Sequence, residues 1–169
     1  MTRVAGVMGA ALLAGSLSAC GYHPLYATRG GDVGVAGQLA AIAIPEPNVR
    51  LEQEVRNALM SSLQNNGGAG TYTLTLAAKG TAGNVVSNPS PGMYRYNYAL
   101  TVSYKLLRTS GGDVLTSGTS KSFVSYDRFK QPVAALGTQA DAEARAVRDV
   151  ADDIRTRLAA YFSSHTPQQ

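Results

Sequence analysis

The chain has 169 residues, a single cysteine and a formal net charge of +4. Only 15% of its residues are charged, against about 25% in an ordinary soluble protein, and the basic ones form no run. One thiol excludes an intramolecular disulfide, and the sparse, scattered positive charge argues against nucleic acid as a partner.

At the N-terminus, Arg3 precedes an uncharged, mostly small and apolar run from Val4 to Leu17. A helix needs about 20 apolar residues to cross a bilayer, so this run fits the h-region of an export signal and is too short for a permanent anchor. Leu17-Ser18-Ala19-Cys20 follows and resembles the bacterial lipobox, in which small residues precede the cysteine whose thiol receives diacylglycerol. Residues 1–19 are therefore read as a signal peptide. Cys20 becomes the first mature residue, carrying a diacylglycerol thioether and an N-acyl chain. Residues 20–37 form the lipidated N-terminus and a tether, since Ala27 to Gly37 is glycine-rich and lacks apolar periodicity.

Gln38 to Ile44 is a short strand candidate that ends at Pro45. Asn48 is a plausible helix N-cap, and Leu51, Val55, Leu59 and Leu63 behind it recur every four residues, the core stripe of an amphipathic helix. Asn65-Asn66-Gly67-Gly68 supplies the stop. From Thr71 to Ala78 the residues alternate, with Tyr72, Leu74 and Leu76 on one face and threonines on the other. A glycine- and proline-bearing loop is expected from Lys79 to Gly92. The strongest strand follows, with Tyr96, Tyr98, Leu100, Val102, Tyr104 and Leu106 sharing one face. Unbroken, it would be about 45 Å long and would twist or project beyond the core. Gly111-Gly112-Asp113 then reverses the chain into Val114 to Tyr126, rich in Ser and Thr, as a long hairpin.

The last element is a helix from about Gln139 to Phe162, its core stripe read as Ala140, Ala144, Val147, Ala151, Ile154, Leu158 and Tyr161. On its other face Asp141 is matched with Arg145, Glu143 with Val147 or Arg148, and Asp153 with Arg157. These charges are read as a solvated helix surface without a site. The expected fold is α+β: a two-layer sandwich of two helices on one face of a mostly antiparallel four-stranded sheet, in the order β-α-β-β-β-α. The domain spans residues 38–164, with 165–169 a short tail. The sheet face paved with Thr and Ser must meet water or a partner.

Nothing in the sequence assembles a catalytic site. His23 and His165 have no neighbouring ligand spacing, so no metal is expected. There is no Gly-x-Ser-x-Gly elbow, no Ser-x-x-Lys pair and no phosphate-cradling glycine loop. Asp152 and Asp153 point about 100° apart on a helix, a poor acid–base pair.

The mature start Cys20-Gly21-Tyr22-His23-Pro24-Leu25-Tyr26, this element order and the Tyr96 to Leu106 strand resemble the LptE family of LPS-assembly lipoproteins. The resemblance covers the whole mature chain. It implies a non-enzymatic plug in the lumen of an LptD-like outer-membrane β-barrel, assisting lipopolysaccharide insertion at the cell surface. It also implies a lipid anchor on the periplasmic face of the outer membrane, with no cofactor beyond the covalent lipid. The family's basic residues for lipopolysaccharide phosphates have no counterpart in the loop before Tyr94 or after Pro132. Read from the residues alone, Arg95, Arg128 and Lys130 flank the strand ends as possible phosphate contacts, with exposed structural charges as the competing reading. Tyr94, Tyr96 and Tyr98 could likewise grip acyl chains or the barrel wall, but at alternate strand positions they are read as core. A lipid-anchored protein that binds a ligand or scaffolds the envelope without a barrel is the alternative function.

Overall fold

A computed structural model describes residues 34–65, 70–84, 93–129 and 131–165. The signal sequence, Cys20 and the Gly21–Tyr26 motif, Lys130 and residues 85–92 of the loop before Tyr94 lie outside the described residues. The elements are α1 (Val35–Ala40), β1 (Ile42–Ala43), α2 (Arg50–Ser62), β2 (Tyr72–Asn84), β3 (Met93–Arg108), β4 (Val114–Phe129) and α3 (Pro132–His165). The strands form one mixed sheet in the order β1-β2-β3-β4. The β1–β2 pair is parallel and the other two pairs are antiparallel. The helices pack on one sheet face, giving the expected two-layer α+β sandwich.

Between the layers, Leu74, Leu100, Val102 and Leu106 of the sheet meet Val55 and Leu59 of α2 and Val150, Ile154 and Leu158 of α3, all fully buried. The period-two pattern of β3 and the four-residue repeat of α2 each put one apolar stripe on this plane.

The first expected strand, Gln38 to Ile44, begins as helix and keeps only two extended residues. Val35 to Ala40 coils, using Ala, Gln and Leu as good helix formers, and only Ile42 and Ala43 remain extended against Tyr72 and Thr73. This helix also takes Val35 to Gly37 from the segment read as tether. At α2 the cap is Val49 and not Asn48, and no side chain bonds the first turn. The expected stop holds another role: Asn65 is buried, and its amide donates to the carbonyl of Ile42. Arg56 donates to the Ile44 carbonyl at 2.9 Å, so α2 is tied to the β1 segment from two places.

Two strands are longer than their patterns suggested. β2 runs to Asn84, its residues Lys79–Asn84 pairing with Tyr96 to Thr101 where a loop was expected. Gly80 looks like a breaker but is a packing device, since a Cβ there would overlap the hydroxyl of Tyr98 lying across it. Gly118 serves Tyr104 of the neighbouring strand in the same way, with the phenol oxygen 2.7 Å from where a Cβ would stand. At about 3.3 Å per residue, the 16 residues of β3 span about 53 Å. Burial covers Tyr98 to Leu106, while Tyr94 is 41% exposed, so the strand does outrun the core.

α3 begins at Pro132, seven residues before the expected start, and its stripe is rotated. Ala140 and Ala144 are exposed, while Ala142, Ala146, Val150 and Phe162 are buried with Val147, Ala151, Ile154 and Leu158. So many small residues line both flanks that alanine positions alone could not orient the helix. Contact with two strands and two helices decided it.

Candidate surface for partner binding

β4 is an edge strand, and it carries hydroxyls on both faces. On the inner face, Ser120 is 0% exposed and donates to Asp153 of α3 at 2.6 Å, while Ser122 donates to Asp149 at 2.9 Å. Arg157 closes on the same Asp153 oxygen at 2.9 Å. Burial opposes ionisation of Asp153, but the Ser120 hydroxyl and Arg157 together hold its carboxyl below the usual value. Part of the charged lattice on α3 therefore fastens the helix to the sheet edge and is not simply a solvated surface. Asp153→Ala would leave the Ser120 hydroxyl buried without its acceptor and is expected to cost about 1–3 kcal/mol by urea denaturation. A double-mutant cycle with Ser120→Ala should be strongly non-additive, and additive costs would dissolve the pairing.

A second cluster joins α2, α3 and β3. Arg50 reaches Glu54 at 2.6 Å and Glu143 at 2.7 Å, and Tyr98 hydrogen-bonds Glu143. Glu143 was expected to look along its own helix towards Arg148, but it turns across to α2 instead. Burial first, then the neighbouring Glu54 carboxyl, push Glu143 above the usual carboxylate range against the pull of Arg50 and Tyr98. Burial and the same carboxylates push Tyr98 up to about 12. A raised Glu143 contributes stability that is complete below its ordinary value of 4.5 and is lost as pH rises through its folded value. Glu143→Gln should therefore melt at or above wild type at neutral pH, with wild type gaining on it as pH falls towards about 4.5. Paired thermal melts across that range check this, and a difference independent of pH would contradict it.

Among the described residues no helix lies on the outer sheet face. The registers bring Thr73, Thr75, Ala77, Lys79 and Thr81 of β2 beside Arg95, Asn97, Ala99, Thr101, Ser103 and Lys105 of β3. Ser117, Thr119, Lys121, Phe123, Ser125 and Asp127 of β4 complete the face. Several hydroxyls are linked within it: Ser103 with Thr119 at 3.3 Å, Ser125 to Asn97 at 2.7 Å, and Thr73 with Thr109 at 3.0 Å. A shallow hollow of about 460 Å³ opens around Thr75, Ser103, Lys105 and Thr119.

Of the basic residues singled out in the sequence, the two that are described, Arg95 and Arg128, do not converge on one site. Arg95 lies on the outer face and pairs with Asp127 at 3.1 Å. Arg128 points to the opposite face, its guanidinium 5.4 Å from the centre of the Tyr96 ring. The tyrosines grade outward: Tyr98 is core, Tyr96 is half-buried against Tyr126, and Tyr94 is exposed. Among the described residues no group of three His, Cys, Asp or Glu side chains could hold a metal, and no helix is long and apolar enough to cross a membrane.

The sequence profile of a family described as LptE, lipopolysaccharide-assembly, matches residues 38–158. This chain belongs to the LptE family. The crystal structure of a chain from Caulobacter crescentus CB15, provisionally described as a lipoprotein, is 25% identical and superposes with a TM-score of 0.65. That alignment covers 76% of this chain and 96% of the other. A minor lipoprotein from Acinetobacter baumannii is 17% identical, with a TM-score of 0.47 over 70% of this chain and 90% of its own. Rare lipoprotein B from Shewanella oneidensis is 15% identical, with a TM-score of 0.40 over 73% and 92%. Comparison with curated proteins gave no significant match. Membership of the LptE family ties the chain to the envelope and to lipopolysaccharide assembly. In this LptE-family fold the sheet face that no described helix covers is the outer one.

Proposed function

We propose that this protein is a non-enzymatic outer-membrane lipoprotein, anchored through Cys20 on the periplasmic face, that plugs and helps assemble an LptD-like β-barrel. In that position it assists lipopolysaccharide insertion at the cell surface. The observation that carries the reading is the outer sheet face, rich in hydroxyls and covered by none of the described helices. Barrel lumens are polar, and a wall of that kind can exchange hydrogen bonds with Ser and Thr without stripping water from many charges. The anchor supports it too, because each buried acyl methylene contributes about 0.8 kcal/mol and stable attachment takes more than one chain.

Arg95, Arg128 and Lys130 stay in the proposal as phosphate contacts for lipopolysaccharide. A phosphate would compete with Asp127 for Arg95 and displace the Tyr96 ring from Arg128. Replacing all three with Gln should weaken lipopolysaccharide binding, and unchanged binding would remove them from this role. For the function itself, the test is detergent extraction and affinity purification of the full lipoprotein. A large outer-membrane β-barrel should accompany it in stoichiometric amount. Recovery of a lone monomer would favour a lipid-anchored ligand-binding or scaffold protein instead.

A further inference from the structure

The chain has four lysines, and three of them, Lys79, Lys105 and Lys121, stand exposed on the outer sheet face. Lys79 of β2 and Lys121 of β4 are both in register with Thr101 of β3, which places them about 10 Å apart across the sheet. Lys105 lies four residues along β3 from Thr101, about 13 Å away. None of the three has an ion-pair partner among the described residues. The sole carboxylate on the described part of this face, Asp127, is committed to Arg95. In the helix layer Asp141 pairs with Arg145, Asp153 with Arg157, and Arg50 with Glu54 and Glu143, while Arg148 has no ion pair among the described residues. Three positive charges without an ion-pair partner thus stand together on a face that no described helix covers.

Resting on the reading above, in which this face is enclosed by another protein, we infer that the enclosing surface carries carboxylates opposite Lys79, Lys105 and Lys121. An ammonium group enclosed without a partner is costly, whereas one matched by a carboxylate gains orientation and specificity. At these separations, close to a Debye length, the lysines repel one another weakly in the free protein. They are spaced to meet three separate acids, not one. The face favours a protein wall over a lipid: its hydroxyls are interlinked, and its main apolar projection among the described residues is Phe123, 71% exposed.

The test is zero-length carbodiimide coupling on the complex purified from detergent extracts, read by mass spectrometry. Amide links should join at least two of these lysines to Asp or Glu of the barrel. In parallel, the full lipoprotein with Lys79→Gln, Lys105→Gln and Lys121→Gln should fold unchanged by circular dichroism, because all three side chains are exposed. Its barrel recovery should drop about tenfold at about 0.1 M salt and should lose most of the salt dependence that wild type shows up to about 1 M. Wild-type recovery without links, together with normal recovery of the variant, overturns the inference while leaving the barrel reading intact. Failure of wild type to bring a barrel overturns the reading itself. If the variant keeps its barrel but no longer binds phospholipid vesicles containing lipopolysaccharide, the lysines serve lipid phosphates and the inference is overturned.

Discussion

Replacing Cys20 with alanine is expected to abolish lipid attachment and to leave residues 1–19 on the chain. The thiol is the atom on which the diacylglycerol thioether would form, and the chain has no second cysteine to take its place. Intact-mass measurement of wild type should show a chain beginning at residue 20 with the added mass of acyl groups. In the alanine variant that species should vanish, and incorporation of labelled palmitate should fall to background. The physical consequence is large because attachment is cumulative: at about 0.8 kcal/mol per buried methylene, losing all the acyl chains removes far more than the contact energy of any surface side chain. An alanine variant that still carried acyl mass, or a wild-type chain starting elsewhere, would end the lipobox reading.

Leu100→Ala is expected to be the most damaging of the conservative core truncations. Leu100 is fully buried in the central part of β3, opposite Gly80 on one side and Ser122 on the other, with the helix layer above it. Neither flanking residue is bulky enough to fill the space left behind. The cost should be about 2–5 kcal/mol, from the lost transfer free energy and the residual cavity together. For a domain of this size, whose whole stability is about 5–15 kcal/mol, that is a large share. Urea unfolding of the domain should show a lower midpoint with an unchanged slope. A loss below about 1 kcal/mol would mean that the layers close over the gap, contrary to the packing described here.

The layer architecture was legible because it depends on periodicity. Leu51, Val55, Leu59 and Leu63 repeat at the helical interval, and Tyr98 to Leu106 alternate at the strand interval, so each element announces which side it buries. The outer hydroxyl face was legible for the same reason, as the complement of the buried one. What periodicity could not express is pairing between distant segments. β2 continues through Lys79–Asn84 because β3 lies alongside it, not because Lys-Gly-Thr-Ala-Gly-Asn favours a strand. The lysine triangle needed the same information: Lys79, Lys105 and Lys121 lie on three strands, and only the register places them on one surface.

Residue order alone established the α+β layering and which face of each main strand is apolar, since both are local patterns in a continuous stretch of chain, and the proposal of export and lipidation at Cys20 rests on residue order alone. Tertiary structure decided how α3 is rotated, why glycines sit inside strands, and which partners Glu143, Asp149 and Asp153 take. Those choices turn on side chains brought together from separate elements, where a few ångströms of approach between Tyr98 and Gly80, or between Ser120 and Asp153, outweigh any preference of the residues taken singly.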